Sequence, residues 1–236
     1  MMKTIQLDVY SDLICPWCYV GKRRMEAAIE QLGADTTVNV SWHPFELNPQ
    51  MPPAGMNRKE YRSAKFGSWH RSQELDAQVT VAGAEVGIAF DYDAVEKTPN
   101  TLDSHRLVWL AKQHELEGQL VEQLFHAYFV EGRDLTNPSE LGEVATSAGL
   151  PAGEVQELLA GDRGLSEVRA EEAWAQEHGL TGVPYFSVNG QVGFSGAQPV
   201  ASFLRAFADA EVAKAQTAEV DGASCSIDAA TGKPSC

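Results

Sequence analysis

Cys15 and Cys18 enclose Pro16 and Trp17 in the stretch LDVYSDLICPWCYVGKRRMEAAIEQL, residues 7–32. Two thiols at this spacing suit three kinds of chemistry: half of a metal site, a small structural disulfide, or thiol–disulfide exchange. A structural zinc site takes four ligands, usually as two close pairs. The remaining cysteines, Cys225 and Cys236, are spaced too widely for a second such pair, and the six histidines are scattered. A disulfide across so short a loop restrains little unfolded chain. Exchange is the reading that comes with a mechanism.

That mechanism depends on the elements holding the pair. Before it, Ile5, Leu7 and Val9 alternate with polar residues, the pattern of a half-buried strand. After it, from Trp17 to Leu32, Val20, Met25, Ala28, Ile29 and Leu32 recur at helical spacing, and Gly33 is the expected stop. Cys15 then stands at a helix N-terminus, where the dipole and free N–H groups favour an anion. Pro16 suits an early helical position and fixes the turn. Cys18 lies one turn on and less exposed. Attack by Cys15 gives a mixed disulfide with a substrate, and Cys18 resolves it.

A second alternating run, TTVNVSWHPFEL, follows the helix and completes a βαβ unit with parallel pairing. NPQMPPAGM reads as a loop, and residues 57–178 read as helices, near 58–66, 72–87 and 100–114, from Gly118 onward, from Pro138 to Gly149, through PAGEVQELLAG and over 166–179. Strand period returns at Tyr185–Val188 and Val192–Phe194, joined by Asn-Gly, a type I′ hairpin signal. A helix from Pro199 to about Gln216 closes the pattern. The order is β-α-β, a helical insertion, then α-β-β-α. The expected fold class is α/β: a thioredoxin-like core, a mixed sheet with flanking helices, carrying a large inserted α-helical subdomain. The expected division is 1–56 for the first part of the core, 57–165 for the insertion and 166–216 for the second part. Residues 217–236 form a small, polar, flexible tail with Cys225 and Cys236.

Pro184, in LTGVPYF, directly precedes the hairpin strand, where a residue without an N–H caps a strand. Taken alone it reads as an ordinary trans-proline ending a loop. Together, CPWC near the start, GVPYF late and a helical insertion between them resemble the DsbA-like thioredoxin-fold superfamily. SDLICPWCYVGKRRME, WHPFELNP, PNTLDSHRL and TGVPYFSVNG are most similar to its FrnE-type branch, over about residues 1–216. The resemblance implies a protein thiol–disulfide oxidoreductase with Cys15 as nucleophile, Cys18 as resolving cysteine and Pro184 as a cis-proline. The loop holding Val183 and Pro184 would face the redox pair and offer a backbone edge to an extended substrate. Glutathione-using relatives typically carry Ser at the first cysteine position and lack the second, which favours disulfide exchange here. Pro16 and Trp17 tune the pair. Strongly oxidising members have Pro-His at these positions, and Trp17 supplies no positive charge, so a less oxidising disulfide suited to reduction or isomerisation is expected.

Cys225 and Cys236 are read either as unpaired tail cysteines or as a second dithiol exchanging with the first. Some FrnE-type members resemble the latter, with closer spacing. His43, Glu46 and Asn48 are read as packing residues, Asn100 as an N-cap and His105 as a satisfied core histidine, although the resemblance suggests that these two face the redox pair. Asp8 or Asp12 is a candidate proton acceptor for Cys18, and Trp109, Phe125 and Phe129 are assigned to the core. The chain has 236 residues, 44% of them hydrophobic, enough for a substantial core. A formal charge of -15 and a pI near 4.7 disfavour nucleic acid and anionic membrane as partners. The N-terminal stretch lacks the features of a signal peptide, and no run approaches a membrane span, so a cytoplasmic location is expected. No cofactor is expected beyond the cysteines, nor a metal, with an external thiol such as glutathione or thioredoxin recycling them. The expected partners are proteins bearing thiols or disulfides. Two rival functions use the same scaffold: a glutathione-dependent isomerase or transferase, and a redox-gated holdase.

Overall fold

In the computed structural model the described residues are 3–222, 226–227 and 234–235. The first βαβ unit is β1 (Lys3–Ser11), α1 (Pro16–Ile29) and β2 (Thr36–Pro44). There follow β3 (Met56–Asn57), α2 (Arg58–Phe66), α3 (Trp69–Ala84), β4 (Lys97–Thr98), α4 (Leu102–Lys112), α5 (Glu117–Phe129), α6 (Pro138–Ser147) and α7 (Ala152–Ala160). The chain returns to the sheet through α8 (Leu165–Glu177), β5 (Tyr185–Val188), β6 (Val192–Ser195) and α9 (Val200–Gly222), with a small pair β7 (Ser226–Ile227) and β8 (Pro234–Ser235) beyond.

The main sheet has the order β2-β1-β5-β6. β1 and β2 pair in parallel, whereas β5 is antiparallel to β1 and β6 to β5. Side chains alternate as a pleated strand requires: Ile5, Leu7 and Val9 are buried on one face, opposite Val188 and Phe186. α1 and α9 cover this face. Phe203 of α9 meets Phe186 edge-on with centroids 4.8 Å apart. α8 lies over part of the other face, where Trp174 stacks on Tyr10. Asn189 and Gly190 both have positive φ, 52° and 65°, as the type I′ turn of the β5–β6 hairpin demands.

The inserted helices build a continuous core with α1. Tyr19 stacks on Phe125 at 4.9 Å, and Phe129 and Phe90 complete the aromatic cluster. Phe125 and Phe129 are buried, whereas Trp109 is only half-buried, against the edge of the core. α1 and α5 are also joined through charge. Glu122 accepts hydrogen bonds from Tyr19 Oη at 2.7 Å, Lys22 Nζ at 2.7 Å and Arg23 Nη2 at 2.6 Å. The redox helix is therefore clamped on one side by this cluster and on the other by the hairpin.

Several boundaries differ from the sequence expectation. α1 stops at Ile29, before Gly33, because three-residue hydrogen bonds to Ala28 and Ile29 tighten its last turn. Thr101, not Asn100, is the cap residue of α4, although Asn100 Oδ1 accepts from the Leu102 N–H at 3.0 Å. α9 runs on to Gly222, past Gln216, through Ala-rich sequence without a breaker. Cys225 and Cys236 lie outside the described residues. Among the described residues no helix is long and apolar enough to cross a membrane.

Candidate active site

Cys15 occupies the cap position of α1 with extended backbone, φ -92° and ψ 107°, and Pro16 takes the first helical position. The Cys15 N–H donates to Asp12 O at 3.0 Å, which closes the turn between strand and helix. Proline is tolerated at the first helical position because an N–H at that position would have no partner inside the helix. The Cys18 N–H bonds Cys15 O at 3.0 Å, so the two cysteines span the first turn. Both are free thiols, with exposures of 5% for Cys15 and 1% for Cys18. Trp17 between them is 38% exposed, and so stands at the surface beside the pair.

Opposite the helix start lies the loop before β5. The Val183–Pro184 peptide is cis, and the Cys15 thiol reaches Val183 O at 3.7 Å. Pro184 O is held in turn by the Gly196 N–H at 2.8 Å, tying the loop to the end of β6. α1 can approach this loop because Gly21 has no side chain. A Cβ there would sit 3.2 Å from Phe186 Cζ and 3.3 Å from Pro184 Cγ. Beside Pro184 a cleft of about 360 Å³ opens between residues 178–185 and Ser195–Gly196.

Burial pushes the Cys18 thiol well up, and the adjacent Cys15 sulfur adds to this. The Ser11 hydroxyl and the Asp12 backbone pull weakly the other way. Cys18 is thus held as a neutral thiol that must release a proton before it attacks. Asp12 is fully buried. Its Oδ2 accepts from the Leu47 N–H at 2.7 Å, while Oδ1 lies 3.5 Å from His105 Nε2 without a hydrogen bond. His105 is therefore a buried histidine whose Nε2 faces the Asp12 carboxylate but makes no hydrogen bond among the described residues, not the satisfied core histidine expected from sequence. Asn100 is spent on structure, since its amide also donates to Met51 O at 2.8 Å.

Asp8 turns to the opposite side of the sheet. His43 sits between Asp8 Oδ1 at 3.3 Å and Glu171 Oε2 at 2.8 Å. Burial alone would lower the His43 pKa, but the two carboxylates outweigh it and raise it to about 8. Glu46, buried and facing Glu172, has its carboxyl pushed up by burial and then by that neighbouring charge, with Arg169 Nη1 at 3.3 Å opposing. His43 and Glu46 thus serve as polar links from β2 and its following loop to α8.

Asn48 belongs elsewhere. It lines a recess of about 100 Å³ with Ile14, Pro16 and the α2 residues Arg58, Arg62 and Lys65. The helix itself is legible in the sequence at 58–66, but its cations are not among the expected site residues, although Arg58, Arg62 and Lys65 recur at i, i+4 and i+7 and so share one face. Among the described residues no group of three or more His, Cys, Asp or Glu side chains is placed to hold a metal ion.

Residues 6–208 match the family described as the DSBA-like thioredoxin domain. The chain belongs to that family. This DSBA-like chain is 33% identical to a probable DsbA oxidoreductase from Streptomyces coelicolor, whose crystal structure superposes with a TM-score of 0.82 over 87% of this chain and 89% of that one. It is 28% identical to the uncharacterized protein YwbO of Bacillus subtilis over 217 residues, 89% of this chain and all of that protein. The cytosolic disulfide reductase DsbM from Pseudomonas aeruginosa, solved with GSH, shares the fold at 16% identity and a TM-score of 0.57, over 91% of this chain and 99% of that one. The fold is the thioredoxin-like one expected, a mixed sheet with flanking helices and a helical insertion.

Proposed function

We propose that this DSBA-like chain exchanges disulfides with protein substrates through Cys15 and Cys18, as a reductase or isomerase of the FrnE-type branch. One observation carries the reading: Cys15 opens α1 with its thiol 3.7 Å from the carbonyl of Val183, at the cis-Pro184 loop, while Cys18 is sealed one turn behind it. The Cys15 thiolate attacks a substrate disulfide, forming one S–S bond and releasing one substrate thiol. Cys18 then either attacks the Cys15 sulfur, completing reduction, or waits while the released thiol rearranges the substrate. Val183 and Pro184 position the substrate, because a backbone carbonyl beside the nucleophile offers an extended peptide a strand-like partner. Pro16 sets the turn, and Trp17 stands at the surface beside the pair.

The supporting site needs no group other than its two sulfurs and an external thiol that restores them. Work in a reducing compartment fits this, and a cytoplasmic location is the natural setting. DsbM, a fold relative, is described as cytosolic. The test is turnover in insulin reduction or scrambled-ribonuclease refolding. The wild type should turn over and Cys15→Ser should not. Silence in both assays with saturable glutathione binding would favour a glutathione-dependent enzyme instead. Chaperone activity that survives Cys15→Ser, again without turnover, would favour the holdase instead.

A further inference from the structure

We propose that the basic recess beside Pro16 binds the carboxylate of a low-molecular-weight thiol, and that this thiol is the reductant which recycles the Cys15–Cys18 disulfide. The inference rests on the disulfide-exchange reading and adds its co-substrate.

The chain carries a formal charge of -15, yet this recess is lined by Arg58, Arg62 and Lys65 and by no Asp or Glu. From behind it, Asp76 pairs with both guanidinium groups, at 2.6 Å to Arg58 Nη2 and 2.6 Å to Arg62 Nη2. Three cations thus meet one carboxylate. The Lys65 ammonium has only neutral partners among the contacts formed here, Asn48 Oδ1 at 3.1 Å and Tyr61 Oη at 2.8 Å. Two further polar atoms line the recess, both buried and, among the described residues, without a hydrogen-bond partner: the Asn48 amide nitrogen and the Tyr92 hydroxyl oxygen. Burial pushes the Tyr92 phenol upward, so it stays a donor. An uncompensated positive charge at the exposed rim, with unpaired buried donors behind it, is suited to a carboxylate, which accepts up to four hydrogen bonds.

Location and size narrow the class of ligand. Ile14 and Pro16, the residues on either side of Cys15, line the recess, so an anion held here is anchored beside the nucleophile. A space of about 100 Å³ takes an end group and not a folded surface. The wider cleft at the cis-Pro184 loop is separate and remains for an extended peptide. The thiolate of the small molecule attacks the Cys15 sulfur, breaking the Cys15–Cys18 bond and forming a mixed disulfide. The Cys18 thiolate released takes up a proton. A second molecule of the same thiol attacks the sulfur of the first, giving the symmetrical small disulfide and the Cys15 thiolate. Two thiols are oxidised to one disulfide as one protein disulfide is reduced.

The test uses the full chain oxidised at Cys15–Cys18 and stopped-flow rates of its reduction, with glutathione as the anionic thiol and 2-mercaptoethanol as the neutral one. The readout is the ratio of the two second-order rate constants, each corrected for thiolate concentration. Lys65→Glu should lower the ratio about tenfold, the size expected for removing one charge-assisted contact and adding a repulsion. Lys59→Glu, the same charge change on the same helix outside the recess, should leave the ratio within about twofold, and esterifying the glutathione carboxylates should reproduce the Lys65→Glu effect on the wild type. A ratio unchanged by Lys65→Glu, or lowered equally by Lys59→Glu, overturns the proposal. Failure of the disulfide-exchange reading is distinct: neither thiol would then reduce the pair in a chain that also fails in insulin reduction.

Discussion

Glu122→Ala tests whether the charge cluster between α1 and α5 holds the redox helix in place. Glu122 is approached by Lys22, whose side chain is only 3% exposed, while Glu122 itself is 25% exposed. Removing the carboxylate leaves the buried ammonium with Glu26 alone, at 2.5 Å on a side chain that is 39% exposed. Breaking a buried ion pair from one side costs about 3–5 kcal/mol, because the remaining charge stays desolvated. The surviving Glu26 offsets part of this, and Arg23, 35% exposed, loses little. Loss of the Tyr19 contact adds about 1 kcal/mol. The net expectation is roughly 2–4 kcal/mol, measured as a lower urea midpoint at unchanged slope. The Glu122 pKa is lowered: burial would raise it, but Lys22, Tyr19 and Arg23 together outweigh burial. Its folded value therefore lies below the unfolded value of 4.5, so the stabilisation is present above about pH 4.5 and is lost as pH falls through the folded pKa. The gap between wild type and variant should shrink over that acid range. Replacing both partners, Lys22→Met with Glu122→Leu, should recover most of the loss, since an apolar pair leaves no charge buried. A Glu122→Ala cost under about 1 kcal/mol, or a double variant no better than the single one, would show that Lys22 is hydrated and that the clamp is not electrostatic.

Two other perturbations report on parts of the same framework. His43, raised from 6.5 to about 8 between Asp8 and Glu171, contributes stability that is fully present below about pH 6.5 and is lost as pH rises through 8. The amount is at most about 2 kcal/mol, and His43→Gln should flatten the stability profile across that window in urea titrations. Gly21→Val should cost about 1–3 kcal/mol by overpacking against Phe186 and Pro184, and should slow insulin reduction by moving the Val183–Pro184 loop off Cys15. Gly153→Ala on α7, with nothing within 4 Å of the new Cβ, should instead gain about 0.5–1 kcal/mol.

What could be read in the sequence depended on how local each signal was. Alternation at Ile5, Leu7 and Val9, the Asn189–Gly190 turn and the Pro138 helix start are set by neighbouring residues, and the structure has the strand, the hairpin and α6 there. The helix Arg58–Phe66 matches to the residue, since Asn57 caps it through the Glu60 N–H and Gly67 ends it at φ 87°. The two-residue strands β3 and β4 carry no period and were absent from the sequence expectation. Contacts between distant segments were equally hidden. His43 meets Glu171 across 128 positions, and Tyr19 meets Glu122 across 103. For the same reason the choice between Asp8 and Asp12 needed coordinates: one faces α8, the other is buried beside His105. The α2 cations were visible as a periodic face, but nothing in their spacing says that Pro16 lies across from them.

Trapping the mixed disulfide tests the central claim most directly. In Cys18→Ser the adjacent resolving cysteine is gone, so one half of a peptide or protein disulfide attacked by Cys15 should stay bound to Cys15. Intact-mass and peptide mapping should find one adduct, reversible by dithiothreitol, on Cys15 in Cys18→Ser and none in Cys15→Ser. No adduct in Cys18→Ser, or an adduct that persists when Cys15 is Ser, would contradict the assignment of Cys15 as the exchanging thiol.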